Sequence, residues 1–112
     1  MKIEFLPEAE EEFREAVRYY ETEAPGVGIT FITTVRRAVG LIAENPYAAA
    51  SLGSGIRKKV LTHFPYNILY AVEQDQVLIV AVAHQKRRPR YWRARIKLLK
   101  ERKSPSGSEY EE

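Results

Sequence analysis

Over residues 2–6 polar and apolar positions alternate, which predicts a short strand with Ile3 and Phe5 turned inward. At Pro7 the spacing changes to three and four, and the alternation gives way to a helical stripe of Ala9, Phe13, Ala16, Val17 and Tyr20. Pro7 suits the first helical position, where a missing N–H costs nothing. Glu8, Glu10, Glu11 and Glu12 complement the positive end of the helix dipole and read as a solvated helix start, not as a catalytic cluster. Ala24-Pro25-Gly26 breaks the helix. A second helix is predicted over residues 28–44, with Ile32, Val35, Val39 and Ile42 on its apolar side, and Asn45-Pro46 stops it. Two amphipathic helices joined by a tight turn predict an antiparallel hairpin.

Residues 47–55 are small and Gly/Ser-containing, and read as a loop. Strands are predicted over residues 56–62, 66–73 and 77–84. In the second of these, Tyr66, Ile68, Tyr70 and Val72 alternate with Asn67, Leu69, Ala71 and Glu73, as a pleated strand requires. Residues 78–83 are apolar on both faces, which predicts a central strand covered on both sides. The helical hairpin supplies one cover, and the segment after Arg90, with Ile96, Leu98 and Leu99 at helical spacing, a partial second. The order is β-α-α-β-β-β with a short C-terminal helix. The fold class is therefore α+β, an antiparallel-rich sheet with a helical hairpin on one face. Residues 1–100 read as a single domain and residues 101–112, without apolar periodicity, as a disordered tail.

A length of 112 residues, 45% of them apolar, supports one modest core. The absence of cysteine removes disulfides, thiolate zinc sites and cysteine nucleophiles together. His63 and His84 show no ligand-like spacing, so no metal or cofactor is implied. No apolar run approaches the ~20 residues of a membrane helix. The start MKIEFLPEAEEEF turns acidic too early for a signal peptide, so a soluble cytoplasmic protein is expected. The net charge of +3 conceals an asymmetry: residues 1–50 hold nine acids and five bases, residues 51–100 two acids and eleven bases, and residues 101–112 four acids and two bases. Charge alone fits an ordinary solvated basic face as well as one that steers anionic partners.

The densest part of the positive half follows the last predicted strand. Directly after His84 come Lys86, Arg87, Arg88, Arg90, Arg93 and Arg95, with Tyr91 and Trp92 among them. The planar donor fork of arginine matches phosphate and carboxylate, so this segment suits a phosphate, an acidic protein or a carboxylate-rich helix. Tyr91 and Trp92 fit packing of the C-terminal helix on the sheet as well as partner contact. His84, at a strand end, fits a structural hydrogen-bonding role as well as proton transfer. Arg57, Lys58 and Lys59 fit solvated edge charges that deter strand aggregation, or contacts to a partner's carboxylates.

In order and spacing, FLPEAEEEFREAVRYYE, the Pro-Gly break, IRKKVLTHFPYNILYAV and IVAVAHQKRRPRYW together resemble the RelE/ParE superfamily of bacterial toxins, over about residues 2–97. The most specific pieces are residues 64–70 and 81–92. The resemblance implies the toxin of a type II toxin–antitoxin module, without a cofactor, neutralised in a hetero-oligomer by a co-expressed antitoxin, ParD-like or similar. One branch of the superfamily, like RelE, cleaves mRNA in the ribosomal A site; the other, like ParE, inhibits DNA gyrase. Cleavage needs activation of a 2′-OH, stabilisation of a phosphorane and a proton for the leaving oxygen. His84, Lys86, Arg87, Arg88 and Tyr91 are the candidates for that work, although Trp92 falls nearest the tyrosine of the RelE-like branch. Where that branch commonly has a central-strand arginine this chain has Asn67, which carries no charge, and this favours the ParE-like branch. The partner surface is then expected to use Arg57, Lys59, Lys86, Arg87, Arg88, Arg90, Tyr91, Trp92, Arg93 and Arg95. A non-toxic module that binds single-stranded RNA through arginines and aromatic rings is the remaining alternative.

Overall fold

The computed structural model describes residues 1–97. Their elements run β1 (Lys2–Phe5), α1 (Pro7–Glu23), α2 (Val27–Glu44), β2 (Ala50–Gly53), β3 (Ile56–Val60), β4 (Tyr66–Val72) and β5 (Gln76–His84). A short helical stretch over 93–97 follows. Leu98, Leu99 and the predicted tail 101–112 lie outside the described residues.

The hairpin of α1 and α2 is fastened by a carboxylate. Glu21, near the end of α1, accepts the backbone N–H groups of Gly26 (3.0 Å) and Gly28 (3.0 Å). These are donors at the start of α2 that no intrahelical carbonyl can take, and they carry the positive end of its dipole. The helices also approach closely at Gly28: a β-carbon there would stand 3.0 Å from the Val17 carbonyl oxygen. The buried stripe of α2 is Phe31, Val35, Ala38 and Ile42, with Ile32 and Val39 half-buried beside it. Phe31 meets Phe13, Tyr20, Phe64 and Tyr66 at ring separations of 5.0–6.0 Å. These contacts place the hairpin on the face of the sheet that carries Tyr66.

The sheet is mixed, in the order β1-β5-β4-β3-β2, with β1 parallel to β5 and the other pairs antiparallel. The doubly apolar strand predicted to be central is β5, and residues Val77 through Ala83 are all buried. The register skips a residue between Leu69 and Tyr70, so that Val80 bulges from β5. β1 reaches only as far as Ile79, whose carbonyl accepts the Leu6 N–H at 2.9 Å. Beyond that point, among the described residues, the outer edge of β5 has no strand beside it.

One expectation is corrected. Residues 47–55 are not all loop, because Ala50–Gly53 forms β2 and pairs with β3. The turn between them is Ser54-Gly55, both with positive φ (56° and 80°), as a two-residue hairpin of matching twist requires. The run Ala48-Ala49-Ala50-Ser51 has no β-branched or alternating pattern, so it carries no strand signal of its own. Its pairing with β3 decides its conformation.

Candidate functional site

The face of the sheet away from the helices carries Asn67 and Leu69 of β4, Lys58 of β3 and Ala83 of β5, which share one side through the registers Lys58↔Leu69 and Asn67↔Ala83. After His84 the chain folds back over this face. Lys86 N–H donates to His84 Nδ1 (3.0 Å) and Arg87 N–H to the His84 carbonyl (3.0 Å), which reverses the chain at the strand end. Gln85 is held from both sides: its N–H donates to the Pro65 carbonyl (2.8 Å) and its amide to Asn67 Oδ1 (3.3 Å). A second turn closes when Tyr91 N–H donates to the Arg88 carbonyl, with Pro89 and Arg90 at the corners. Arg90 takes a positive φ of 62°, as the third residue of a type II turn does. The result is an open cleft of about 260 Å³, with Leu52, Leu69 and Ala83 among its apolar lining and Lys58, Arg87, Arg88 and Arg90 among its cations.

The wall of this cleft is fixed by one carboxylate. Glu12 Oε2 accepts the Tyr91 hydroxyl (2.7 Å) and Arg95 Nη2 (2.7 Å), while Oε1 accepts Arg95 Nη1 (3.0 Å) and the Val82 N–H (3.0 Å). Arg95 Nη1 also donates to the Val80 carbonyl at 3.0 Å. Acceptor and donor together take the N–H and C=O of β5 that β1 stops too early to reach. The pair is well shielded, with side-chain exposures of 15% for Arg95 and 13% for Glu12. Burial, and then the hydrogen bond to Glu12, push the Tyr91 hydroxyl well above the usual tyrosine range. Burial works against the charge of Arg95, but the contacts with Glu12 more than offset it and raise its pKa.

The expected site residues therefore separate. Arg87, Arg88, Arg90, Tyr91 and Trp92 line the cleft. Trp92 does so as a core residue, 5% exposed, and the Arg87 guanidinium sits over the Tyr91 ring, 3.9 Å from its centre. Lys86 and Arg93 are exposed but do not line the cleft. Arg95 is spent on Glu12 and the strand edge. Arg57 and Lys59 point to the helix-covered face: Arg57 donates to the Tyr47 and Ala49 carbonyls (3.1 and 2.7 Å), and Lys59 borders a separate cleft of about 280 Å³ beside Leu41 and Tyr70. Lys58, one position out of phase with both, belongs to the cleft instead. The acidic run predicts a solvated helix start, but Glu12 anchors the cleft wall instead, and nothing within the run distinguishes it from Glu8, Glu10 or Glu11. His84 also borders the cleft, and its ring stands 5.0 Å from that of Tyr66.

The family described as ParE toxin of type II toxin-antitoxin system, parDE, matches residues 3–89. The chain belongs to the ParE toxin family. As a member of that family it keeps the two helices, the sheet and the first part of the basic turn within the matched stretch, while Tyr91, Trp92 and Arg95 lie beyond it. Among solved structures, the ParE-family chain is similar to one from the "Chromosomal ParDE TA system from P. aeruginosa". The TM-score is 0.67 at 15% identity, over 75% of this chain and 95% of that one, a likeness of fold. A comparison with curated proteins gave no match. Among the described residues no helix is long and apolar enough to cross a membrane.

Proposed function

We propose that this ParE-family chain is the toxin of a type II module, neutralised in a hetero-oligomer by a ParD-like antitoxin, and that its target is a protein, DNA gyrase, rather than mRNA. Membership of the family and the likeness to a chain of a ParDE system support the module. The observation that carries the choice of target is the engagement of the Tyr91 hydroxyl, which donates to Glu12 and has its pKa raised by burial. A phenol so held is a poor general acid at neutral pH, because a useful catalytic pKa lies near the operating pH. At the strand end, His84 Nδ1 accepts the Lys86 N–H, which fixes the ring in its Nε2–H tautomer. Asn67 is tied to Gln85 and carries no charge for a phosphorane. What remains exposed is a set of cations, Arg87, Arg88 and Arg90, suited to carboxylates of a partner protein.

The test is a gyrase supercoiling assay with the chain released from its antitoxin, beside a lane of mRNA on translating ribosomes. Inhibited gyrase with intact mRNA is the expected result. Cut mRNA with unaffected gyrase overturns the proposal and returns the search for a catalyst to His84, Lys86, Arg87, Arg88 and Tyr91. Replacing Arg87 and Arg88 together by Ala is expected to weaken target or antitoxin binding while leaving the fold intact, since both side chains are exposed.

A further inference from the structure

We propose that the acidic end of this chain, Glu109-Tyr110-Glu111-Glu112, docks in its own cleft, as a tethered competitor of the partner that the cleft takes. The cleft and the segment are complementary. Leu52, Leu69 and Ala83 offer apolar surface for a ring, and Lys58, Arg87, Arg88 and Arg90 offer charge to the carboxylates around it. Among the described residues, no ion pair engages any of these four cations. The cation–π contact with Tyr91 holds the Arg87 guanidinium at the cleft and leaves its N–H donors for an anion.

The connection has the right composition and length. Ser104-Pro105-Ser106-Gly107-Ser108 separates the acidic end from the cations Lys100, Arg102 and Lys103, and is a linker composition without apolar content. Lys97 lies five residues beyond Trp92, which lines the cleft. Residues 98–108 span at most about 36–40 Å when extended, more than the return needs. Tethering of this kind gives an effective concentration on the order of 1 mM, so a contact of millimolar strength fills the cleft for much of the time without any folding of the segment. Such a contact is electrostatic and exposed, and salt weakens it.

This inference rests on the cleft being the partner site, but its test uses neither antitoxin nor target. Because the chain has no cysteine, a nitroxide at Ser108→Cys is unique. In the isotope-labelled full chain, paramagnetic broadening is expected at the amides of Leu52, Lys58, Ala83, residues 85–88, Arg90 and Tyr91. It is not expected at the α1–α2 turn around Gly26. The broadening should vanish in 0.5 M salt or with Arg87→Ser/Arg88→Ser. Replacing Glu109, Glu111 and Glu112 by Gln in the full chain should tighten a synthetic peptide of residues 106–112 about two- to tenfold. Broadening spread evenly over the surface, unchanged peptide affinity, or broadening only between a labelled and an unlabelled copy would overturn the proposal. The last result would assign the contact to a second molecule. Intact broadening in a protein that spares gyrase and ignores ParD-like antitoxins would instead count against the function proposed above.

Discussion

Glu12 accepts four hydrogen bonds from three different parts of the chain, and its removal leaves each donor in a different predicament. In Glu12→Gln, Arg95 keeps its charge in a shielded position without a counter-ion, and the Tyr91 hydroxyl faces an amide. A loss of about 3 kcal/mol is expected in urea unfolding, as for other shielded pairs broken from one side. Adding Arg95→Met should recover part of it, because the second change removes the stranded cation. Tyr91 adds a dependence on pH. Its folded-state pKa is raised above the ordinary value of 10.0, so its contribution is fully present below pH 10. Above that the unfolded chain loses the proton first, and stability falls as pH rises. Burial raises Tyr20, Tyr66 and Tyr70 in the same direction, and they share the alkaline loss. Tyr91→Phe should make the slope between pH 10 and 11 shallower, by a fraction of the limiting ~1.4 kcal/mol per pH unit because the ring is partly exposed. At this scale the sequence was legible where chemistry clusters, as with Arg87, Arg88 and Arg90. It was not legible where one member of a uniform run is selected by a partner 83 positions away, as Arg95 selects Glu12.

Among the elements, the hairpin of helices depends on a close approach that a single methyl group would disturb. Gly28→Ala gains helix propensity of about 1 kcal/mol but sets a β-carbon against the Val17 carbonyl and the Glu21 side chain that caps α2. The backbone oxygen cannot swing aside, so a net destabilisation is expected in thermal unfolding, accompanied by a shift in the α1–α2 packing. Both helices and the three longer strands could be read from period and stop signals, since Pro7, Pro25 and Pro46 mark boundaries and β5 is apolar throughout. β2 could not. Its strand character comes from Lys58, Arg57 and Ile56 across the hairpin and from the Ser54-Gly55 turn, not from its own side chains. The same blindness to pairing hid the phase of β3. Which of Arg57, Lys58 and Lys59 faces the cleft depends on which side of the sheet the helices cover, and neighbouring basic residues do not reveal it.

Over the whole molecule, the sign of charge follows the architecture: the acidic first half supplies the helices, and the basic second half supplies the strands and the turn that walls the cleft. The resulting field should make association with acidic partners fall with ionic strength, mainly through slower encounter. The tie at Glu12 joins the two halves, and it has a consequence for the order in which the protein assembles. A contact between residues so distant in sequence can close only after α1 has packed on the sheet and β5 has found its place, so it belongs to the downhill side of the folding barrier. Weakening it should therefore quicken escape from the native state and leave the refolding rate nearly untouched. In stopped-flow measurements Glu12→Gln should raise the unfolding limb of the chevron and spare the folding limb. The basic wall would then be the last part of the protein to arrive and the first to leave.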